Sequence, residues 1–215
     1  MKNLHILILC GLFTAATLSA NPWNCGVPSV NGGANLTATL NEDGTLIISG
    51  TGEMAEFNTE LAPWYGVREE IETVIIHQGV TSIGDQAFRD CSNLLSVTIP
   101  SSVASIIGAA FVSCTALAEI KNYAVAPQEV FMPTFMSIPD LSIIKLRVPV
   151  SSVDAYLSAD IWKDFDIGIL IDTNCENVID LGDLAPKMAW VLCEDGTLII
   201  GGEGEMPIFS ASYNG

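Results

Sequence analysis

The feature that most constrains this fold is a repeat of 23 residues in the middle of the chain. The segment 71–93, IETVIIHQGVTSIGDQAFRDCSN, aligns without gaps with 94–116, LLSVTIPSSVASIIGAAFVSCTA. Apolar residues return at the same stations in both copies. The matched pairs are Ile71 with Leu94, Val74 with Val97, Ile76 with Ile99, Val80 with Val103, Ile83 with Ile106, Ala87 with Ala110, Phe88 with Phe111, and Cys91 with Cys114.

Two weaker copies follow these. A third opens at Leu117 with Ile120 in register and then decays. A degenerate fourth, IIKLRVPVSSV, follows the pattern of residues 94–100. It keeps Ile143, Leu146, Val148 and Pro149.

A period in the twenties with fixed apolar stations is typical of a solenoid, because one copy buries little and stacked copies share a continuous core. The L-x-x-V-x-I segment predicts a short parallel strand with alternate residues pointing inward. The G-x-x-A-F-x-x-C segment predicts a helical turn on the opposite side. There we expect Cys91 and Cys114 to be buried thiols rather than a disulfide or a metal site.

Two further segments complete the organisation. EDGTLIISGTGEM (42–54) returns as EDGTLIIGGEGEM (194–206), 152 residues later, and its Asp-Gly before an apolar run predicts a β-hairpin. Downstream of the repeats, Ser151 and Asp154 fit a capping box before a helix. Apolar residues at helical spacing then predict a helix that covers the open end of the repeats. They are Val153, Tyr156, Leu157, Ile161 and Phe165.

The two repeat copies resemble the BspA-like leucine-rich repeats of secreted and surface proteins from Bacteroidota and some other microbes. The segment LNEDGTLIISGTGEM, followed by PWY, resembles the small β module that often precedes such repeats, and VPVSSVDAYLSADIWKDF resembles their terminal repeat and cap. The resemblance covers about residues 36–166. It implies a strand-dominated α/β fold: a leucine-rich-repeat solenoid of 23-residue coils flanked by small β modules.

The predicted domain order follows from these segments. It is a signal peptide at 1–20, an N-terminal β module at 21–66, the repeats with their capping helix at 67–170, a linker at 171–187, and a second, apparently truncated β module at 188–215. Lys2, the apolar run from Leu4 to Phe13 and the small residues ending at Ala20 are typical of a secretory signal. We therefore expect an exported protein, secreted or at the cell surface, with no transmembrane segment.

Charge and cysteine content exclude several classes of function. The formal net charge of -17 would repel phosphate backbones, so no nucleic-acid partner is expected. Removal of the signal leaves five cysteines, an odd number that cannot all pair; the pairing of Cys25, Cys175 and Cys193 stays open. His77 is then the remaining histidine and has no nucleophile motif beside it, so we expect no enzyme and no catalytic residues.

One acidic stretch has metal-ligand spacing. DTNCENVIDLGD (172–183) resembles an EF-hand-like or dockerin-type calcium loop, although Asn177 stands where glycine is expected and no second loop is visible. A solvated acidic linker is the alternative; apart from this possible calcium ion, no cofactor is expected. The candidate ligands at positions 1, 3, 5, 9 and 12 are Asp172, Asn174, Glu176, Asp180 and Asp183.

The candidate binding surface is the concave face of the strands, because residues between the inward ones project there and solenoids commonly bind on that face. Those positions run from uncharged to basic, which predicts a partner with carboxylate or sulfate groups near Lys121, Lys145 and Arg147; a solvated edge is the alternative. The candidate residues are Thr73, Ile75, Ser96, Thr98, Glu119, Lys121, Lys145 and Arg147.

The function that fits these observations is adhesion or binding without catalysis, with an extracellular protein or glycan recognised by the repeats. Two alternatives remain open. The repeats could be a structural spacer within a longer multidomain surface protein, or they could belong to a glycan-capture component.

Overall fold

The computed structural model describes residues 22–58, 61–170, 178–185, 188–193 and 198–202 of the 215-residue chain. Its strands, in chain order, are β1 (Trp23–Asn24), β2 (Leu36–Leu40), β3 (Thr45–Gly50), β4 (Gly52–Glu53), β5 (Thr73–Ile76), β6 (Val80–Ile83), β7 (Ser96–Ile99), β8 (Ser105–Ile106), β9 (Glu119–Asn122), β10 (Lys145–Val148), β11 (Asp166–Ile169), β12 (Val178–Ala185), β13 (Met188–Cys193) and β14 (Leu198–Gly202). One α-helix, α1, spans Val153–Ser158. Short 3₁₀ helices lie at Asn31–Gly33, Tyr65–Glu70, Met132–Phe135, Leu141–Ile143, Val150–Ser152 and Trp162–Asp164.

Successive repeats contribute parallel neighbouring strands to one eight-stranded sheet, ordered β1-β2-β3-β5-β7-β9-β10-β11. Val74 on β5 pairs with Val97 on β7, and Val97 pairs with Ile120 on β9. Each of these steps is 23 residues along the chain. Within each of these three strands, buried side chains alternate with half-buried or exposed ones, as the L-x-x-V-x-I pattern requires.

The N-terminal β module is continuous with the repeats. Strand β3 pairs antiparallel with β2 on one side and parallel with β5 on the other, with Leu46 beside Val74 and Ile48 beside Ile76. The predicted boundary between residues 66 and 67 therefore does not divide the sheet. Strand β3 has the place of a first repeat strand, and β1 and β2 extend the sheet beyond it.

A second sheet consists of three short parallel strands, ordered β4-β6-β8. Each of these strands follows a strand of the large sheet along the chain. The segments that follow, 85–90 and 108–113, form hydrogen-bonded turns at the place of the predicted helical turn, and these turns do not extend into a helix. Their backbones contain a positive φ at Asp90 (59°) and Ser113 (61°), and Ser137 (68°) has the same conformation one repeat later. This conformation is incompatible with continuing a helix.

The core is one cluster that joins the large sheet to these turns. Val74, Val97 and Ile120 enter it from the sheet with no exposed surface, and Phe88 and Phe111 enter it from the turns, equally buried. Cys91 and Cys114 are free, buried thiols, as predicted from their stations.

The C-terminal cap differs from the prediction in its secondary structure. Helix α1 begins at Val153; its N-cap residue is Ser152 and not the predicted Ser151, and the Ser152 side chain makes no capping hydrogen bond. The helix ends at Ser158 because Ala159 is extended, with a φ of -84° and a ψ of 134°, and the chain turns again at Ile161, which has a φ of 69°. Val153 and Tyr156 are buried as predicted, and Phe165 reaches the core from beyond the turn.

The fourth repeat is shifted by one residue at its start. Ile143, predicted to point inward, is 73% exposed, and Ile144 is buried instead. The cause is the 3₁₀ turn Leu141–Ile143, which Asp140 caps by accepting hydrogen bonds from the Ser142 amide (2.9 Å) and hydroxyl (2.7 Å). Strand β10 then regains the register, with Leu146 beside Ile120.

The third sheet is antiparallel, with the order β12-β13-β14. Strand β12 lies inside the range 171–187 that was predicted to be a linker, and there it pairs with β13. Across the part of the chain described here, no helix has the length and apolar character that crossing a bilayer requires.

Candidate functional site

The outward face of the large sheet is formed by side chains that alternate with the core residues. Register pairing places them in two adjacent rows that cross the parallel strands, so residues far apart in sequence become neighbours. One row is Thr45, Thr73, Ser96, Glu119, Lys145 and Asp166. The other is Ile47, Ile75, Thr98, Lys121, Arg147 and Gly168.

These rows bring together all eight residues predicted to line the concave face. Thr73, Ile75, Ser96, Thr98 and Glu119 are half-buried, and Lys121 and Lys145 are exposed. Adjacent hydroxyls also bond across strands: the Ser96 hydroxyl donates to Thr73 Oγ1 at 3.3 Å. Four of these positions are uncharged, so this part of the face is polar but carries no net charge.

Arg147 does not lie on an accessible surface as predicted; it retains only 8% of its exposure. The repeat pattern in the sequence extends to the fourth copy, which forms β10, and a last strand there would leave Arg147 at the margin of the sheet. The structure adds β11 beyond it, and Arg147 has Lys121 on one side and Gly168 on the other. Its position inside the sheet removes it from the predicted basic stripe, the row of cations formed by Lys121, Lys145 and Arg147.

The remaining charges of that stripe are balanced by carboxylates. Lys121 Nζ lies 3.6 Å from Glu119 Oε2. Lys145 stands in register between Glu119 and Asp166. Two exposed ammonium groups therefore face two carboxylates, and the outward face attracts anionic groups less than the spacing of its lysines suggested.

The N-terminal end of the face holds a serine–histidine pair that the sequence analysis missed. Ser49 Oγ lies 3.2 Å from His77 Nδ1. The two residues are far apart in sequence, and they come together only because β3 and β5 are neighbours in the folded sheet. A hydrolytic triad needs an acid that orients the histidine. Within the described residues, His77 has no hydrogen bond to a carboxylate, so the pair is a contact between outward side chains.

On the side of the core formed by the turns, aromatic rings from successive repeats form a stack. Phe111 lies between Phe88, at a centroid distance of 5.3 Å, and Phe135, at 5.7 Å. Trp64 continues the stack on one side and Trp162 contacts it on the other. Three of these residues, Trp64, Phe135 and Trp162, were not identified as repeat positions.

The thiols beside this stack are unsuited to redox or metal chemistry. Burial raises the pKa of the Cys91 thiol to about 12 and that of Cys25 to about 12. Burial likewise raises the pKa of Cys114, whose Sγ lies 3.1 Å from the Phe88 carbonyl oxygen. A thiolate is the reactive and metal-binding form, so these cysteines are held in the inert one.

A groove of about 560 Å³ opens near the cap, between residues 127–132 and 159–161. Phe131 (58% exposed) and Met132 (77% exposed) lie on its wall. Asp160, on the same wall, accepts a 2.7 Å hydrogen bond from Lys163, which lowers the pKa of its carboxyl. Apolar walls with few converging polar groups fit an apolar contact better than a reaction.

The predicted calcium loop falls only in part within the described residues. Asp172, Asn174 and Glu176 lie outside them, while Asp180 and Asp183 lie on β12 opposite Leu192 and Ala189. An EF-hand loop leads into a helix, whereas positions 7 to 12 of this segment run along a strand. Elsewhere in the described ranges, no group of three or more histidine, cysteine, aspartate or glutamate side chains could hold a metal ion.

Residues 65–160 match the BspA type leucine rich repeat region. This match extends from the 3₁₀ helix before β5 to just beyond helix α1, and so includes every strand from β5 to β10. Leucine-rich repeats of this type serve typically as binding modules.

Two solved structures have similar chains. One is a leucine-rich repeat protein from Eubacterium ventriosum, 23% identical, with a TM-score of 0.36 over 78% of this chain and 46% of that one. The other is a leucine rich cell surface protein from Faecalibacterium prausnitzii, 15% identical, with a TM-score of 0.27 over 84% of this chain and 60% of that one. This chain thus spans about half the length of these relatives. No curated protein matches it.

Proposed function

We propose that this chain is an exported, non-enzymatic leucine-rich-repeat protein that binds an extracellular protein on the outward face of its large sheet. In this proposal the parallel strands of the large sheet, the three-stranded sheet β4-β6-β8 and the turns that follow it form a solenoid of 23-residue coils. The signal-like residues 1–20 and the match to BspA type repeats support export and binding. The observation that carries the proposal is the register of β3, β5, β7 and β9, which holds outward side chains in fixed rows.

A fixed array favours binding because its side chains lose little conformational freedom when a partner docks. Strands paired on both sides hold Thr73, Ser96 and Thr98 at constant spacing, and these side chains have few rotamers to lose. The contact area centres on β5 and β7, with Ile47 and Ile75 as its apolar part and hydroxyls around them. Sugar rings commonly stack on aromatic side chains, and these two strands present none outward, which favours a protein partner over a glycan.

The experiment is a pull-down of host extracellular proteins and glycans with residues 21–215, followed by variants in the recovered interaction. Thr98→Arg places a long cation in the centre of the face and should weaken binding at least tenfold. Thr81→Arg is the matched control, because Thr81 is exposed on β6 in the second sheet. Equal binding by the two variants, both folded by circular dichroism, would place the interaction elsewhere.

The balanced charges give a second test of the same face. Lys121 is paired with Glu119, Lys145 is flanked by Glu119 and Asp166, and both lysines lie on β9 and β10, beside the contact area that centres on β5 and β7. The double variant Lys121→Ala with Lys145→Ala should therefore bind within threefold of the unmodified protein, at low and at physiological salt. A strong loss that follows salt concentration would restore the basic stripe as the binding determinant.

A further inference from the structure

The third sheet contains a copy of the hairpin that begins the large sheet. In the first hairpin Leu36 on β2 pairs with Gly50 on β3, and Leu40 pairs with Leu46. In the second, Met188 on β13 pairs with Gly202 on β14, and Leu192 pairs with Leu198. Each residue of the second hairpin stands 152 positions after its counterpart, so the two hairpins share one register throughout.

The shared register fixes which backbone groups face outward from the hairpin. On β3, the edge away from β2 is occupied by β5, which lies parallel to it. There the amides of Thr73 and His77 donate to the carbonyls of Gly44 and Ile48. Strand β14 pairs with β13 in the same register as β3 pairs with β2. The backbone N–H and C=O groups of Leu198 and Ile200 therefore face the outer edge of β14 in the same pattern. That edge has no strand partner among the described residues.

Two positions that are buried in the first hairpin are less covered in the second. Ile48 is fully buried, because the first repeat stacks against β3. Its counterpart Ile200 is 40% exposed. Trp190, the partner of Ile200 across the strands, is half-buried, whereas its counterpart Ala38 is fully buried. The second hairpin thus leaves apolar surface uncovered where the first carries a repeat.

From these observations we infer that the outer edge of β14 is a docking site for a parallel β-strand of the leucine-rich-repeat type. The occupant is an extended segment with apolar residues at alternate positions, as in Val74 and Ile76 of β5. Its amides bond to the carbonyls of β14, and one of its apolar side chains covers Ile200. This is strand addition to an open sheet edge, in which backbone bonds supply affinity and alternate side chains supply specificity. The inference does not depend on the partner proposed for the outward face.

The test uses the whole chain and a fluorescent peptide with the sequence REEIETVIIHQG, residues 68–79. Fluorescence anisotropy should show saturable binding. Methylating the amide of Ile75 in the peptide should weaken it at least tenfold, because that amide lies between those of Thr73 and His77 and faces the same strand. Methylating the amide of Ile76, which faces the other way, is the matched control and should leave binding within threefold.

A variant of the protein completes the test. Ile200→Asp places a carboxylate on the surface that the peptide would cover and should weaken binding at least tenfold, while Phe131→Asp, at another exposed apolar position, should not. Absence of binding by the unmodified peptide would overturn the inference. So would equal binding by the two methylated peptides, or equal binding by the two protein variants.

Discussion

Replacing Phe111 with alanine tests whether the aromatic stack holds successive repeats together. Its side chain has no exposed surface and lies between Phe88 and Phe135, at centroid distances of 5.3 and 5.7 Å. Truncation of a buried phenylalanine costs about 3–5 kcal/mol, and each stacked pair contributes about 0.5–1.5 kcal/mol beyond its buried area. Losing two such pairs places the expected loss in unfolding free energy at about 4–5 kcal/mol.

The assay is urea unfolding followed by tryptophan fluorescence and circular dichroism. For a chain of this length, each kcal/mol lowers the melting temperature by about 2–4 °C, so a fall of roughly 8–20 °C should accompany the loss. Phe111→Leu keeps most of the volume but loses the ring contacts and should cost about 1–3 kcal/mol. Phe131→Ala, at a residue 58% exposed, should stay within about 0.5 kcal/mol.

A loss for Phe111→Ala no larger than that for Phe131→Ala would refute the packing role of the stack. Phe111→Leu being as stable as the unmodified protein would also refute it, because the stacked rings would then contribute nothing beyond their volume. A change in the slope of free energy against urea would point to altered compactness of the unfolded chain instead of lost packing.

Three further predictions concern the cap, a turn and a thiol. Trp162→Phe removes the 2.8 Å hydrogen bond from Nε1 to the buried Gln128 carbonyl and should cost about 1–3 kcal/mol in urea unfolding; an unchanged midpoint would contradict that role. Gly50→Ala should cost about 2–3 kcal/mol by thermal unfolding, because Gly50 has a φ of 123° and a Cβ there would lie 2.1 Å from the Asn35 carbonyl oxygen. Gly66 is exposed and has open space around it, so Gly66→Ala should cost almost nothing. Burial raises the pKa of Cys91 from 9.0 to about 12, so between these pH values the native state keeps a proton that the unfolded state releases. The contribution of Cys91 to stability should therefore be full below pH 9 and decline between pH 9 and 12. Unfolding measured across this range should show a shallower decline for Cys91→Ala.

The sequence alone determined the repeat region because its signal is local and periodic. Val74, Val97 and Ile120 occupy equivalent stations, and any fold that buries all three on one side must align their strands. The pairings of β5, β7 and β9 follow that alignment. The buried state of Cys91 and Cys114 followed from the same stations, since side chains at equivalent positions share one environment.

Spacing changes concealed the ends of the array. Phe135 stands 24 residues after Phe111, and Trp64 stands 24 residues before Phe88, so neither fits a strict period of 23. Turns can absorb an extra residue while the rings remain stacked, because the centroid distances depend on tertiary packing and not on sequence distance. A search for aromatic residues at spacings of 23 or 24 would have found both.

The candidate site depended most on tertiary structure. Strand β11 lies beyond the repeat copies that the sequence pattern identified, and its pairing with β10 is what places Arg147 inside the sheet. The contact of Ser49 with His77 likewise exists only because β3 joins β5. Sequence fixes which face of a strand a side chain occupies, since that alternation is local. Which strands become neighbours is decided by the free energy of the whole packed core, and the neighbours determine whether a charge is exposed, paired or buried.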